Sequence, residues 1–81
     1  MIGMPKLPLL PARKVVRALI RLGFYVDHQK GSHIVLKDKT TKTKTIVVPN
    51  HPEIDRKTLK SILKQAEIDL DTFLEVLIVV K

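Results

Sequence analysis

The hydrophobic period of this chain changes twice along its length, and that constrains the fold more than any other feature. Ala12, Val15, Val16, Leu19 and Leu22 recur at helical spacing, Pro11 suits a first helical turn, and Gly23 is a natural stop. Residues 11–22 therefore read as an amphipathic helix. After Gly23 the period shortens to two. Residues 24–30 read as a strand with Phe24, Val26 and His28 on one face, and Gly31-Ser32 as a turn. Residues 33–37 read as a second strand, in which Ile34 and Leu36 alternate against His33, Val35 and Lys37. DKTTKTK at 38–44 is a polar, flexible hairpin tip, and residues 45–48 form a third strand that Pro49 ends. Helical spacing returns at Leu59, Ile62, Leu63 and Ala66, over 56–66, behind Asp55 as N-cap. Asp69 caps a shorter last helix carrying Leu70, Phe73, Leu74 and Leu77. The terminal LIVV run leaves three options open: a longer helix, a strand, or an apolar contact with a second copy of the chain.

The order α-β-β-β-α(-α) makes an α+β fold of two layers, a three-stranded antiparallel sheet with both main helices on one face. With 81 residues there is room for one domain, 1–81, made of an irregular Pro-punctuated arm over 1–10 and a core of about 11–77. Cysteine is absent, which removes disulfides, thiolate metal sites and cysteine nucleophiles together. No run reads as a targeting segment or approaches the roughly 18–20 apolar residues of a membrane span, so a soluble cytoplasmic protein with no membrane partner is expected.

Charge narrows the partners. Fifteen Lys and Arg stand against eight Asp and Glu, a formal net charge of +7. Residues 1–64 hold 14 basic and 4 acidic residues, a net of +10, and residues 65–81 hold 1 and 4, a net of −3. A field of this sign favours a polyanion such as nucleic acid or an acidic protein. The aromatics are only Phe24, Tyr25 and Phe73, which argues against binding single strands by stacking bases.

Three constellations could carry chemistry. Arg13, Arg17 and Arg21, at i, i+4 and i+8 with Lys14 beside them, share a helix face on which no acid four residues away offsets them. Guanidiniums in a row suit phosphate oxygens; the plain alternative is a solvated face. Lys37, Lys39, Lys42 and Lys44 make a basic hairpin that suits a nucleic-acid backbone, or simply protects a strand edge. The third is Lys30-Gly31-Ser32-His33, in which a tight turn brings a lysine and a histidine together. Histidine exchanges protons near neutral pH, which is what cleavage of RNA by its own 2′-hydroxyl requires, without metal or cofactor. His28 reads as a partly buried edge residue and His51, in Pro49-Asn50-His51-Pro52, as a turn residue, and both remain secondary candidates for proton transfer. The spacing of the three histidines matches no standard metal-ligand pattern.

Leu22-Gly23-Phe24, Lys30-Gly31-Ser32-His33, Val48-Pro49-Asn50-His51 and the run Thr58-Leu59-Lys60-Ser61-Ile62-Leu63-Lys64-Gln65-Ala66, in this order and spacing, resemble the HicA family of toxin–antitoxin systems. The resemblance spans roughly residues 8–77. It implies a fold like the double-stranded RNA-binding domain, a metal-independent mRNA endonuclease (an mRNA interferase), His33 as the essential histidine of the Gly-Ser-His motif, and inhibition by a HicB-type antitoxin that covers that histidine. Two positions depart from the family: Lys57 and Glu67 stand where its members usually have glycine. Two other functions fit the same residues. A non-catalytic double-stranded RNA-binding module would need the basic residues but not His33. A module that docks an acidic protein would bind its partner in a salt-sensitive way.

Overall fold

The computed structural model describes residues 9–80. The elements run α1 (Ala12–Arg21), β1 (Phe24–Lys30), β2 (His33–Asp38), β3 (Thr45–Pro49), α2 (Arg56–Ala66) and α3 (Leu70–Val79). The strands form one antiparallel sheet in the order β1-β2-β3. The expected α+β architecture of three strands and helices packed on the sheet is present.

Side-chain alternation decides which face the helices cover. Leu36 stands opposite Val26 on β1 and Ile46 on β3, and Ile34 stands opposite Val48. Leu36, Ile46 and Val48 are fully buried, and they meet Val15, Ala18 and Leu19 of α1 and Leu59 and Ile62 of α2 in a single core. The other face carries Tyr25, His28 and Lys30 on β1, His33, Val35 and Lys37 on β2, and Thr45, Val47 and Pro49 on β3. Among the described residues no helix covers it, and its middle residues Val35 and Val47 are half-buried and exposed. The α-helical layer thus leaves one whole sheet face open.

His28 departs from the simple alternation. Val26 pairs with Leu36, but His28 pairs with Val35, so Asp27 is an extra residue in a β-bulge. Without the bulge His28 would stand opposite Ile34, on the covered face. With it, the ring moves to the open face, and the partly buried edge position expected for His28 is corrected: its side chain is 54% exposed.

The helix ends follow local chemistry. Asp55 caps α2 by accepting from the Thr58 N–H at 2.6 Å, and Asp69 caps α3 by accepting from the Thr72 N–H at 3.3 Å. At α1 the Pro11 cap has no side-chain acceptor, and the carbonyl of His51 takes the Ala12 N–H at 3.0 Å instead. The LIVV run resolves as helix, since α3 continues to Val79. Phe73 anchors α3 in the core, whereas Ile78 is 86% exposed. Residues 1–8 of the expected arm lie outside the described residues. Leu10, also placed in that arm, is instead buried and bridges Ile54, with the Ile54 N–H donating to the Leu10 carbonyl at 2.7 Å.

The hairpin tip is tied down, which corrects the expectation of a flexible loop. The Asp38 carboxylate accepts from the N–H groups of Thr41 and Lys44 at 2.9 and 2.8 Å and from the Thr41 hydroxyl.

The helix α2 ends on Glu67 at φ 57°, ψ 42°, the left-handed conformation. This is one of the two positions where the resemblance noted above expects glycine. A side chain in that conformation costs about 1–2 kcal/mol, partly offset because glycine leaves a freer unfolded chain. A carboxylate at a helix C-terminus is also unfavourable. Glu67→Gly is therefore expected to stabilise the fold by roughly 0.5–1 kcal/mol, read as a raised denaturation midpoint at unchanged m-value. A lowered midpoint contradicts this account.

Candidate active site

His33 opens the central strand. It is paired with Lys30 on one side and Pro49 on the other, at one end of the open sheet face. The turn that delivers it is Gly31-Ser32. Gly31 adopts φ +58°, and a Cβ built there meets nothing within 4 Å, so the backbone angle rather than crowding calls for glycine. The Asn50 N–H donates to the Ser32 carbonyl at 2.6 Å, which fastens the turn to the loop after β3. The imidazole of His33 is exposed, and its nitrogens make no hydrogen bond to any described residue. Its donor and acceptor positions are thus free to meet a substrate.

Beside it on the same face stands His28, diagonal to His33 across the β1–β2 pairing. Its Nδ1 lies 2.7 Å from Asp27 Oδ2, and Lys37 Nζ lies 3.9 Å from the same oxygen. The hydrogen bond with His28 is the main reason the Asp27 carboxyl is held below its ordinary value. An ionised carboxylate only accepts, so Nδ1 carries the proton in that bond. Asp27 is the residue that sequence reasoning missed. Nothing in the local pattern marks a bulge, although an acid directly beside a histidine on an edge strand was the available signal.

His51 is not on this face. It lines a shallow groove with Pro11, Arg13, Asn50 and Pro52 at the start of α1. Its carbonyl caps that helix and its N–H goes back to Pro49, so its backbone role is structural.

The arginine stripe is present as expected. Arg13, Arg17 and Arg21 are exposed, and none is in a salt bridge with a described residue. Lys14, beside them, is half-buried. Arg13 and Arg17 line a groove with Val16, Val26, Gln29, Ile34 and Asn50, alongside the edge strand that holds Lys30. Arg21 lies at the other end of α1, next to the turn where the Lys39 N–H donates to the Gly23 carbonyl at 2.9 Å. The basic residues accordingly divide. Lys30, Arg13 and Arg17 lie toward the His33 end, and Lys37 stands on the open face near the hairpin end of β2, its Nζ 3.9 Å from Asp27 Oδ2. Arg21, Lys39, Lys42 and Lys44 lie at the far end, a strand length of roughly 17 Å from His33.

Three of the carboxylates are engaged in local hydrogen bonds and in no salt bridge with the arginine stripe. Asp38, Asp55 and Asp69 are all held below the ordinary carboxylate range by hydrogen bonds: to Asp38 from Thr41, to Asp55 from the Thr58 N–H, and to Asp69 from Thr72. A depressed folded-state value means stability that is complete above the unfolded value near 3.8 and lost as pH falls through the folded one. The unfolding temperature is therefore expected to drop on acidification below about pH 4. Asp38→Asn should lower it at pH 7 and flatten the acid decline; parallel curves for the two proteins would show that Asp38 contributes no such linkage.

Among the described residues no helix is long and apolar enough to cross a membrane, and no group of three or more His, Asp or Glu side chains could hold a metal ion. A comparison with curated proteins gives no match. The family model described as HicA toxin of bacterial toxin-antitoxin matches residues 12–68, from the first residue of α1 to just beyond α2, and so includes the arginine stripe, the Gly-Ser-His turn and the bulge. With more than half of its length matched, the chain belongs to the HicA family, the toxins of bacterial toxin–antitoxin systems.

Proposed function

We propose that this toxin is a metal-independent endoribonuclease that cuts mRNA, with His33 in the proton transfers and the basic residues as the RNA clamp. The observation that carries the reading is His33 itself: exposed, free of hydrogen bonds to described residues, and opposite Lys30 on the uncovered sheet face. In this chemistry the RNA 2′-hydroxyl attacks the adjacent phosphorus. A base removes the 2′ proton, an acid protonates the departing 5′-oxygen, and cations offset the charge on the phosphorane. Lys30 is the cation next to His33, with Gly31 and Ser32 shaping the approach. Arg13, Lys14, Arg17 and Arg21 hold one flank of the RNA, and Lys37, Lys39, Lys42 and Lys44 the other.

The partner that restrains the toxin is a HicB-type antitoxin that covers His33, and the setting is the cytoplasm, where mRNA is translated. The exposed end of α3, with Ile78 and Val79, is the surface a homodimer would use. The test is incubation of purified toxin with mixed-sequence RNA in EDTA. Cutting supports the reading. RNA bound but never cut overturns it in favour of a double-stranded RNA-binding module.

A further inference from the structure

One histidine cannot remove a proton from the 2′-oxygen and supply another to the 5′-oxygen in the same step. The two oxygens stand on opposite sides of the phosphorus in an in-line displacement, so a second group several ångströms from the first is needed. We infer that His28, carried onto the open face by the bulge at Asp27 and held there by the Asp27 carboxylate, is that second group, the general acid of the cleavage. The inference rests on the reading of His33 as part of a ribonuclease site.

The geometry supplies each element. Register puts Lys30 opposite His33 and Val35 opposite His28, so the two histidines are diagonal neighbours on one face. Cβ atoms in that relation lie within about 7–8 Å, which leaves space for a phosphodiester between two imidazoles. Both rings are exposed, on a face that no helix of the described residues covers. His51, the remaining histidine, belongs to the groove beside α1.

The division of labour follows from the neighbours. The ionisable groups facing His28 are Tyr25, Asp27 and Lys30 on its own strand and Lys37 and His33 on β2. Thr45, Val47 and Pro49 of β3 add none, and the helices pack on the opposite face. Asp27 bonds Nδ1 at 2.7 Å, so Nε2 is the nitrogen turned toward substrate, and the carboxylate offsets the charge of the imidazolium. His33 has no carboxylate partner among the described residues and faces Lys30. With Nδ1 tied to Asp27 and Nε2 left for the leaving oxygen, His28 is assigned as the acid, and His33, opposite Lys30, as the base. His33 takes the 2′ proton as the 2′-oxygen–phosphorus bond forms. His28 gives its Nε2 proton to the 5′-oxygen as the phosphorus–5′-oxygen bond breaks. The products are a 2′,3′-cyclic phosphate and a 5′-hydroxyl, with no co-reactant. Asp27 is a positioning residue in this scheme.

The experiment compares two substrates: ordinary RNA, and the same RNA with sulfur replacing the bridging 5′-oxygen at the cut site, whose thiolate departs without protonation. On ordinary RNA, His28→Ala is expected to cut about 10²-fold more slowly than the unsubstituted toxin. On the sulfur substrate the gap should shrink below roughly tenfold, because no acid is needed. His33→Ala should be slow on both. Asp27→Asn, which loosens the hold on Nδ1, should slow cutting of ordinary RNA and leave the sulfur substrate nearly unaffected. His28 is exposed, so folding and RNA affinity of the alanine variant should match the unsubstituted protein. A His28→Ala protein that cuts ordinary RNA at full rate, or whose defect persists on the sulfur substrate, overturns the assignment while leaving His33 in place. A toxin that cuts neither substrate overturns the ribonuclease reading, and this assignment with it.

Discussion

Replacing His33 with alanine is expected to slow RNA cleavage by about 10²–10⁴-fold, the usual worth of one placed acid–base group. Among the described residues nothing else depends on this ring. It is exposed, and it makes no hydrogen bond to a described residue. Its strand is held by backbone pairing to Lys30 and Pro49, which alanine preserves. A surface change of this kind alters stability by no more than about 0.5 kcal/mol. His33→Ala toxin should therefore melt with the unsubstituted protein and bind RNA with nearly the same affinity, and the loss should appear in kcat rather than KM. Initial rates on mixed-sequence RNA in EDTA, with binding measured in parallel, check this. Cutting at the full rate would remove His33 from the chemistry. Loss of both cutting and binding would make it a contact residue and leave the catalyst elsewhere.

How far the site was legible depends on the range of the interactions that build it. Helical spacing and caps are properties of a few neighbouring residues. Val15, Leu19 and Gly23 accordingly marked α1 to within one residue at each end, and Asp55 and Asp69 act as the caps they resemble. The Gly31-Ser32 turn and the outward direction of His33 are equally local, since they follow from the alternation of Ile34 and Leu36. The bulge at Asp27 is different. It depends on how β1 meets β2, where Val26 keeps its place opposite Leu36 and His28 slips to Val35, and no run of apolar residues on β1 records that slip. Period-two reading therefore put His28 on the wrong face and left Asp27 unnoticed. The hairpin tip failed for a related reason. DKTTKTK looks like solvated chain, but one Asp38 side chain collects three donors from it. The capping of α1 by the His51 carbonyl joins residues 39 positions apart, again beyond the reach of a local pattern.

The arginine stripe leads to the other large effect. Changing Arg13, Arg17 and Arg21 together to glutamine is expected to weaken RNA binding about a hundredfold at low salt, at roughly 1 kcal/mol for each lost contact to phosphate. Salt dependence is the sharper measure. Each phosphate neutralised on a single strand contributes about −0.7 to the slope of log K against log salt, so removing three contacts should flatten the slope by roughly 2. The stripe is suited to this because its charge is not already committed. No salt bridge to a described residue holds these guanidiniums, and the four acids in residues 1–64 include Asp27, Asp38 and Asp55, each engaged near its own backbone. The three arginines are exposed, so the fold should survive. Because they grip substrate and transition state alike, KM should rise while kcat stays close to that of the unsubstituted toxin. An unchanged salt slope would reduce the stripe to a solvated helix face. The RNA clamp would then have to lie on the open sheet face, along Lys30, Lys37 and the hairpin lysines.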